Sequence, residues 1–192
     1  MLLRLLSLAA LALACGCASV STSGDSVRAY QDALDSTNAR KATALKRGSA
    51  EEKAAIARFQ DFLSVMNRET VRAKTRQVYA ENAYLNDTLK TLHGAAAIEE
   101  YFLATTENAE SITVRFDDVA ESGGDYYFRW VMDVKLKKFK PGETLRSIGM
   151  THVRFDEQGK VVMHQDYWDA AQGLFEHVPV LGSVIRAIKK RL

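Results

Sequence analysis

The chain has 192 residues, of which 47% are hydrophobic and 26% charged, and this composition is typical of one soluble globular domain. Its formal net charge of +2 is too small for a protein that binds nucleic acid through the phosphate backbone. No basic cluster is interleaved with aromatic residues, as single-strand binders require, so we expect no nucleic-acid partner.

The amino end has the features of an export signal. A short basic start at residues 1–4 precedes an apolar run at 5–14, which is too short to span a bilayer. Small residues with Cys15 and Cys17 follow. The segment resembles a bacterial lipoprotein signal, in which a cysteine after small residues is diacylated and becomes the new amino terminus. We expect the lipid on Cys17, with Cys15 as the alternative and an ordinary secretory signal as the other interpretation. The resemblance implies a membrane anchor, and Ala18 in the next position favours the outer membrane of the cell envelope.

The rest of the chain divides into a linker and one domain. We predict a signal peptide at 1–16, a tether with a spacer helix at 17–48 and the folded domain at 49–192. Within the linker, residues 25–47 favour a helix with a weak apolar stripe, which indicates a spacer or an outer helix. No cysteine lies beyond residue 17, so the domain contains no disulfide and no cysteine nucleophile.

Helices come first in the predicted domain. Ser49 and Glu52 form a capping box that opens an amphipathic helix reaching Met66. Asn67 is suited to cap the next helix. The predicted helices cover residues 50–66, 68–79 and about 95–106, with a short strand at 83–87 and Gly94 before the third helix.

From residue 112 onward the hydrophobic period changes from 3.6 to 2, which is the period of a β-strand. Four strands are predicted, near residues 112–116, 126–136, 147–155 and 160–169. Helices followed by a meander of strands predict an α+β fold, in which the helices pack on the concave face of a curved antiparallel sheet.

The last strand carries the most informative alternation. His164, Asp166 and Trp168 share one face of it, and a histidine and a carboxylate beside large apolar groups are typical of a ligand pocket. His164 and Asp166 should project in parallel about 7 Å apart, too far for a direct hydrogen bond but suited to holding one small ligand from two points.

Hairpin geometry predicts which other residues join that face. If Pro141-Gly142 forms a tight turn, Trp130 pairs with Val153 and Met132 with Thr151; if Phe155 and Lys160 close the next hairpin, Thr151 pairs with His164. This register places three residues on the pocket face, namely Trp130, Met132 and Thr151. It also puts Gly149 beside Asp166, and the missing side chain should leave room there for a ligand.

Several of these segments together resemble a known superfamily. The order of the helices, the segments 82–87 and 130–132, Gly94 and the segment 164–169 resemble nuclear transport factor 2-like proteins, and most closely the SnoaL-like proteins, relatives of polyketide cyclases. The resemblance covers roughly residue 50 to the end. It implies a cone-shaped α+β fold with a deep pocket between the helices and the concave face of the sheet.

The resemblance also implies roles for individual residues. Asp87 falls where ketosteroid isomerases place their general base, whereas their oxyanion-stabilising acid and helix tyrosine fall at Thr151 and near Phe62. Asp166 matches the water-activating aspartate of limonene-epoxide-hydrolase-like enzymes, whose partner residues fall at apolar positions here. Polyketide-cyclase-like proteins use an Asp/His pair as acid and base, a role that His164 could fill with Asp166 or Asp87.

These considerations give two sets of candidate residues. The candidate catalytic residues are Asp87, His164 and Asp166. The candidate ligand-binding residues are Phe62, Tyr84, Trp130, Met132, Thr151 and Trp168. In the alternative interpretation the polar residues are structural groups satisfied by backbone or water, and the aromatic residues belong to the core.

Two functions fit this pattern. The first is a lipid-anchored envelope protein whose pocket binds a small hydrophobic molecule without chemistry. The second is an acid–base enzyme, polyketide-cyclase- or isomerase-like, that uses the same pocket. No metal-ligand trio and no phosphate-binding glycine loop is visible, so we expect no metal and no cofactor. The sequence leaves homodimer formation open.

The carboxyl end has its own pattern. Leu181, Val184, Ile185 and Ile188 recur at helical spacing, and four basic residues accompany them without an acidic one. Such a helix either packs its apolar face on the domain, which we expect, or lies on anionic lipid.

Overall fold

The computed structural model describes residues 23–38 and 45–192. The predicted signal peptide and the lipid site at Cys17, with its alternative Cys15, lie outside the described residues and stay predictions. The helices of the described part are α1 Ser23–Ser36, α2 Ala50–Ser64, α3 Arg68–Val78, α4 Ala95–Asn108, α5 Ala170–Gly173 and α6 Leu181–Lys189, with a 3-10 turn at Phe175–His177. None of these helices has the length and apolar character that crossing a bilayer would require.

The strands of the described ranges form one sheet in the spatial order β2-β1-β6-β5-β4-β3. They are β1 Tyr79–Asn86, β2 Thr91–His93, β3 Ala109–Ser122, β4 Asp125–Leu136, β5 Leu145–Phe155 and β6 Val161–Trp168. Neighbouring strands are antiparallel except for β1 and β6, which run parallel. The predicted α+β fold is confirmed, and the parallel pair is the feature that the hydrophobic pattern did not predict.

The helix boundaries follow their capping residues. Ser49 caps α2 by accepting a hydrogen bond from the Glu52 N–H at 3.1 Å, but the Glu52 carboxylate accepts from the Gly48 N–H instead of closing the capping box. Asn67 and Thr70 form a reciprocal capping box at the start of α3. These caps place α2 and α3 close to their predicted positions.

The inner face of the sheet, which faces α2 and α4, carries the main hydrophobic core. Phe59 of α2 packs on Phe128 of β4 with ring centroids 4.7 Å apart. Phe62, one turn further along α2, packs between Tyr79 and Phe102 at 6.1 Å and 5.9 Å. Burial of each such ring contributes on the order of 1.5–3 kcal/mol, which is enough to hold both helices above the sheet.

The opposite, outer face of the sheet is partly covered by α1. Ala33 of α1 packs with Tyr84 and Met163. Arg154 of β5 donates from Nη1 to a backbone carbonyl of α1 at 2.6 Å and from Nε to Asp125 at 2.5 Å. An outer helix is therefore present in the linker, although it ends at Ser36, well before the predicted boundary at residue 47.

The strand register differs from the predicted one in both hairpins. Trp130 pairs with Gly149 instead of Val153, because pairing stops at Val134 and Leu145 and leaves a loop wider than a two-residue turn. Thr151 pairs with Asp166 instead of His164, because Phe155 pairs with Val161 instead of Lys160 and a bulge between Arg154 and Phe155 adds a second residue to the shift. The shifts are four and two residues, both even, so the predicted faces are retained although the predicted partners are wrong.

The carboxyl-terminal helix also differs from the expectation. α6 begins and ends close to the predicted stripe, but Leu181, Val184 and Ile188 are 43%, 50% and 54% exposed. The prediction that this apolar face packs on the domain is therefore wrong for these three residues, whereas Ile185, the fourth of the stripe, is half-buried. The helix is attached instead through polar contacts, because Arg186 donates to the Glu176 carbonyl at 2.9 Å and Lys189 pairs with the Glu176 carboxylate.

Candidate functional site

A cavity of about 310 Å³ lies between the inner face of the sheet, the α2 and α4 helices and the segment that follows β6. Its lining is mostly apolar, with a few polar groups from separate elements. The polar lining residues are Asp87, Tyr101, Thr105, Ser147, Thr151, His164 and Asp166. An apolar cavity with a few convergent polar groups is the usual form of a small-molecule site.

Seven of the nine predicted site residues line this one cavity. They come from the end of β1 and from β4, β5 and β6, which the sheet brings together: Asp87, Trp130, Met132, Thr151, His164, Asp166 and Trp168. The predicted face is thus a wall of the cavity.

The two other predicted residues lie elsewhere. Phe62 is fully buried in the core among aromatic rings and does not line the cavity. Tyr84 lies on the outer face, where its hydroxyl donates to Gln165 at 3.0 Å, and burial raises its pKa to about 12. In β1 it is Leu85 that faces the cavity, because Leu85 pairs with His164 whereas Tyr84 pairs with the outward-facing Met163.

Asp166 is the centre of a hydrogen-bonded chain. Its Oδ1 accepts from Thr151 Oγ1 at 2.5 Å and lies 2.9 Å from His164 Nε2. Thr151 in turn accepts from Trp130 Nε1 at 2.8 Å. The predicted separation of His164 and Asp166 is therefore wrong, because side chains lean along a strand and the long imidazole reaches its neighbour two residues away.

Tyr79 extends this chain beneath the cavity floor. Its hydroxyl lies 2.9 Å from His164 Nδ1. A carboxylate only accepts, so His164 Nε2 carries the hydrogen towards Asp166, and in the neutral tautomer with this hydrogen Nδ1 is the acceptor for the Tyr79 hydroxyl. Burial, and then the charge of Asp166, raise the pKa of Tyr79 well above that of an exposed tyrosine, so the phenol remains a donor.

Both ends of the chain donate towards Asp166. The other carboxylate oxygen of Asp166, Oδ2, has no hydrogen-bond partner among the described residues. The Asp166 side chain is 18% exposed to solvent. This oxygen is the polar atom that remains available to a bound molecule.

Asp87 has a different environment. Its Oδ1 accepts from the Leu89 and Lys90 N–H groups at 3.0 Å and 2.8 Å, which closes a local turn, and its Oδ2 accepts from the Tyr101 hydroxyl. Burial, followed by the charge of Asp87, raises the pKa of Tyr101, so this hydroxyl also stays protonated. Asp87 therefore caps a turn and lines the cavity at once.

The room expected at Gly149 is already filled. A methyl group on Gly149 would collide with the ring of Trp130 and lie 2.9 Å from Cβ of Trp168. Gly173 gives the second indole similar space, since a methyl group there would lie 2.8 Å from Cζ3 of Trp168. The two glycines therefore admit the indoles that form the wall, and the space beside Gly149 is filled by Trp130 and Trp168.

Sequence reasoning missed two hydroxyl donors of the site, Tyr79 and Tyr101. The sequence indicated that Tyr101 faces the interior, because it lies on the apolar edge of α4 next to Phe102. It gave no such indication for Tyr79, because the contact of Tyr79 with His164 depends on the parallel pairing of β1 with β6.

Other titratable clusters lie outside the cavity. His152 projects from the outer face, 2.6 Å from Asp125, and burial lowers its pKa despite that carboxylate. In residues 23–38 and 45–192, no group of three or more histidine, cysteine or acidic side chains is arranged to hold a metal ion.

The curved sheet, the helices over its inner face and the cavity between them define the nuclear transport factor 2-like, or ketosteroid isomerase-like, fold. Residues 59–164, more than half of the chain, match the model of the SnoaL-like domain family. The chain therefore belongs to the SnoaL-like family, as the sequence resemblance predicted. No curated protein is significantly similar to it.

Solved structures share the fold at low identity. A ketosteroid isomerase-like hypothetical protein from Catenulispora acidiphila, in complex with trimethylamine, is 15% identical, with 62% of this chain and 88% of that one covered and a TM-score of 0.54. The LEH-like epoxide hydrolase of M. tuberculosis is 10% identical, with 74% and 98% covered and a TM-score of 0.54. A candidate SnoaL-like polyketide cyclase from Shewanella putrefaciens is 14% identical, with 65% and 93% covered and a TM-score of 0.54. These identities are too low to transfer an activity.

Proposed function

We propose that this protein is a binding module whose cavity holds a small, mostly apolar molecule by its polar group. The observation that carries the proposal is the free Oδ2 atom of Asp166 at the wall of an otherwise apolar cavity of about 310 Å³. The Thr151 and His164 donors occupy Oδ1 and so fix the orientation of the carboxylate. The apolar walls supply most of the binding free energy, and the carboxylate orients the ligand.

The charge of the lining narrows the ligand class. Two carboxylates, Asp87 and Asp166, line the cavity, and no lysine or arginine side chain does so in the described part of the chain. Lys90 comes within 5.4 Å of the Tyr101 ring centroid, but its side chain is exposed and outside the lining. Such a site favours a ligand that presents a hydrogen-bond donor or a positive charge, and it disfavours anions.

Three compounds of nearly equal shape test this proposal: benzyltrimethylammonium, the neutral neopentylbenzene and the anion phenylmethanesulfonate. Calorimetry, together with quenching of the Trp130 and Trp168 fluorescence, should give the order cation, neutral, anion. Asp166→Asn keeps the shape and the Oδ1 acceptor but removes the charge, and it should reduce the preference for the cation at least about tenfold, since two opposite unit charges about 4 Å apart attract by about 4 kcal/mol at an effective dielectric constant near 20. Asp61→Asn, an exposed substitution on α2, is the matched control. Absence of binding by all three compounds would refute the binding module itself.

We also propose that the mature chain is anchored in the cell envelope through a lipid on Cys17. Its support is the sequence pattern at the amino end, where a basic start, a short apolar run and small residues precede the cysteine. In this arrangement the cavity samples molecules in the periplasmic space or at the membrane surface.

A second candidate function is acid–base catalysis in the same cavity. It is favoured by the hydrogen-bonded chain from Tyr79 through His164 to Asp166, which holds a carboxylate in one orientation at the wall of the cavity. In such a reaction, Asp166 takes a proton from a carbon next to a carbonyl and returns it to the resulting enolate. Exchange of that hydrogen for deuterium in heavy water, read by NMR on a hydrophobic ketone such as a cyclohexenone, tests it. Exchange that Asp166→Asn abolishes and Asp61→Asn preserves would favour the enzyme over the binding module.

A further inference from the structure

The α6 helix presents an unburied apolar face. Leu181, Val184 and Ile188 recur at i, i+3 and i+7, which places them on one side of the helix, and all three are more than 40% exposed. Val180, just before the helix, is 79% exposed. A contiguous apolar face on a short helix usually marks a surface that binds something else.

This exposure has a structural basis. Gly182 fits tightly against the Glu176 backbone, and a methyl group there would collide with the Glu176 carbonyl. Arg186 donates to the same carbonyl at 2.9 Å, and Lys189 pairs with the Glu176 carboxylate at 2.6 Å. Polar contacts thus hold one side of α6 to the 3-10 turn and leave the apolar side directed outward.

The backbone before α6 also supports an outward-facing apolar group. Val180 has a φ of 67°, in the left-handed region that a β-branched residue rarely adopts. Its side chain gains no burial within the described structure, because it is 79% exposed. Backbone strain of this kind clusters at functional sites, and an external contact of Val180 is consistent with it.

The charge around this face identifies the partner. Residues 178–192 contain four basic side chains and no acidic one. Among the ion pairs of the described residues, none involves Lys190 or Arg191, so both remain available. An apolar face flanked by positive charge is complementary to an anionic lipid surface, where the apolar side chains enter the headgroup region and the basic ones contact phosphates.

We infer that α6 is a docking element that binds the surface of an anionic lipid bilayer. This contact is separate from the proposed lipid on Cys17 and from binding in the cavity. It has a consequence for the cavity, because Gly173 and Leu174 line it and precede the Glu176 turn that holds α6. A bilayer-bound α6 places this wall of the cavity beside the lipid.

Hydrogen–deuterium exchange of the full chain, read by mass spectrometry on peptides from residues 181–192, tests the contact locally. Vesicles of phosphatidylglycerol and phosphatidylethanolamine should slow exchange of these amides at least about tenfold, and phosphatidylcholine vesicles should not. The double variant Val184→Ser/Ile188→Ser, at exposed positions, should lose this protection. Lys190→Gln/Arg191→Gln should weaken it severalfold, and more at low salt than at high salt.

Matched control variants distinguish a specific effect of the α6 substitutions from the general effect of removing an exposed apolar or basic side chain. Ile148→Ser removes a 69% exposed side chain from β5, and Arg72→Gln/Lys74→Gln removes two exposed charges from α3; neither should alter the protection. Vesicle binding without protection of residues 181–192 would overturn the inference, because the amino end alone would then account for it. Protection that appears without lipid and grows with protein concentration would also overturn it and would assign the face to a second copy of the chain.

Discussion

Replacing Asp166 with alanine measures what the hydrogen-bonded chain contributes to folding. The substitution removes the acceptor of Thr151 Oγ1, at 2.5 Å, and of His164 Nε2, at 2.9 Å, and both donors are buried. The Thr151 hydroxyl can rotate its hydrogen towards the cavity that it lines, whereas a shift of the His164 hydrogen to Nδ1 would only deprive the Tyr79 hydroxyl of its acceptor, so we count one donor that stays unpaired. A buried unpaired donor costs about 1–3 kcal/mol.

For a domain of this size, that cost corresponds to a melting temperature lower by roughly 2–12 °C. Asp166→Asn keeps an oxygen for both donors and should cost less than about 1 kcal/mol. Asp61→Ala, at an exposed position of α2, should change stability by no more than about 0.5 kcal/mol. Thermal unfolding followed by circular dichroism compares the three variants with the parent chain.

A parent-like or higher melting temperature for Asp166→Ala would refute this reasoning. It would show that desolvation of the carboxylate costs more than its two hydrogen bonds contribute, as happens when a charge is retained for function at the expense of stability.

Three further predictions address other parts of the chain. Gly149→Ala should cost about 1–3 kcal/mol in urea unfolding, because the added methyl group displaces the Trp130 ring, and unchanged stability would contradict the packing of that wall. Burial raises the pKa of Asp125, but its hydrogen bonds with Arg154 and His152 outweigh burial and lower the pKa below its ordinary value. The stabilising contribution of this carboxylate is therefore complete above about pH 4 and is lost as the pH falls through the lowered folded-state pKa. The melting temperature of Asp125→Asn should depend less on pH below about 4 than that of the parent chain. Mass spectrometry of the exported protein should find a lipid-modified Cys17 at the amino terminus, and an unmodified terminus further along would contradict the anchor.

The faces of the strands could be predicted because alternation depends only on whether a residue number is odd or even. The true partners of Trp130 and Thr151 differ from the predicted ones by four and two residues, and an even shift returns every side chain to its predicted face. The side chains that each residue contacts could not be predicted in this way. Gly149 illustrates the limit, because its correct face did not reveal that Trp130 and Trp168 fill the space beside it.

The features that escaped prediction depend on contacts between distant parts of the chain. Tyr79 joins His164 only because β1 pairs in parallel with β6, and Tyr84 faces outward for the same reason. The position of α6 depends on Glu176, whose carbonyl accepts from Arg186 and whose carboxylate pairs with Lys189. A hydrophobic stripe indicates that a face needs a partner, but it does not indicate whether that partner belongs to the same chain.

The two aspartates that line the cavity differ in whether a carboxylate oxygen remains available to a ligand. Both oxygens of Asp87 are occupied, by two backbone N–H groups and by the Tyr101 hydroxyl, so a ligand must compete with existing bonds to reach it. Asp166 has both of its donors on Oδ1 and keeps Oδ2 for an incoming group. Polar contact with a ligand is therefore concentrated at Asp166, and Asp87 acts mainly through its charge. It follows that Asp166→Asn should weaken binding of a cationic ligand more than Asp87→Asn does, although both substitutions remove one negative charge from the same cavity.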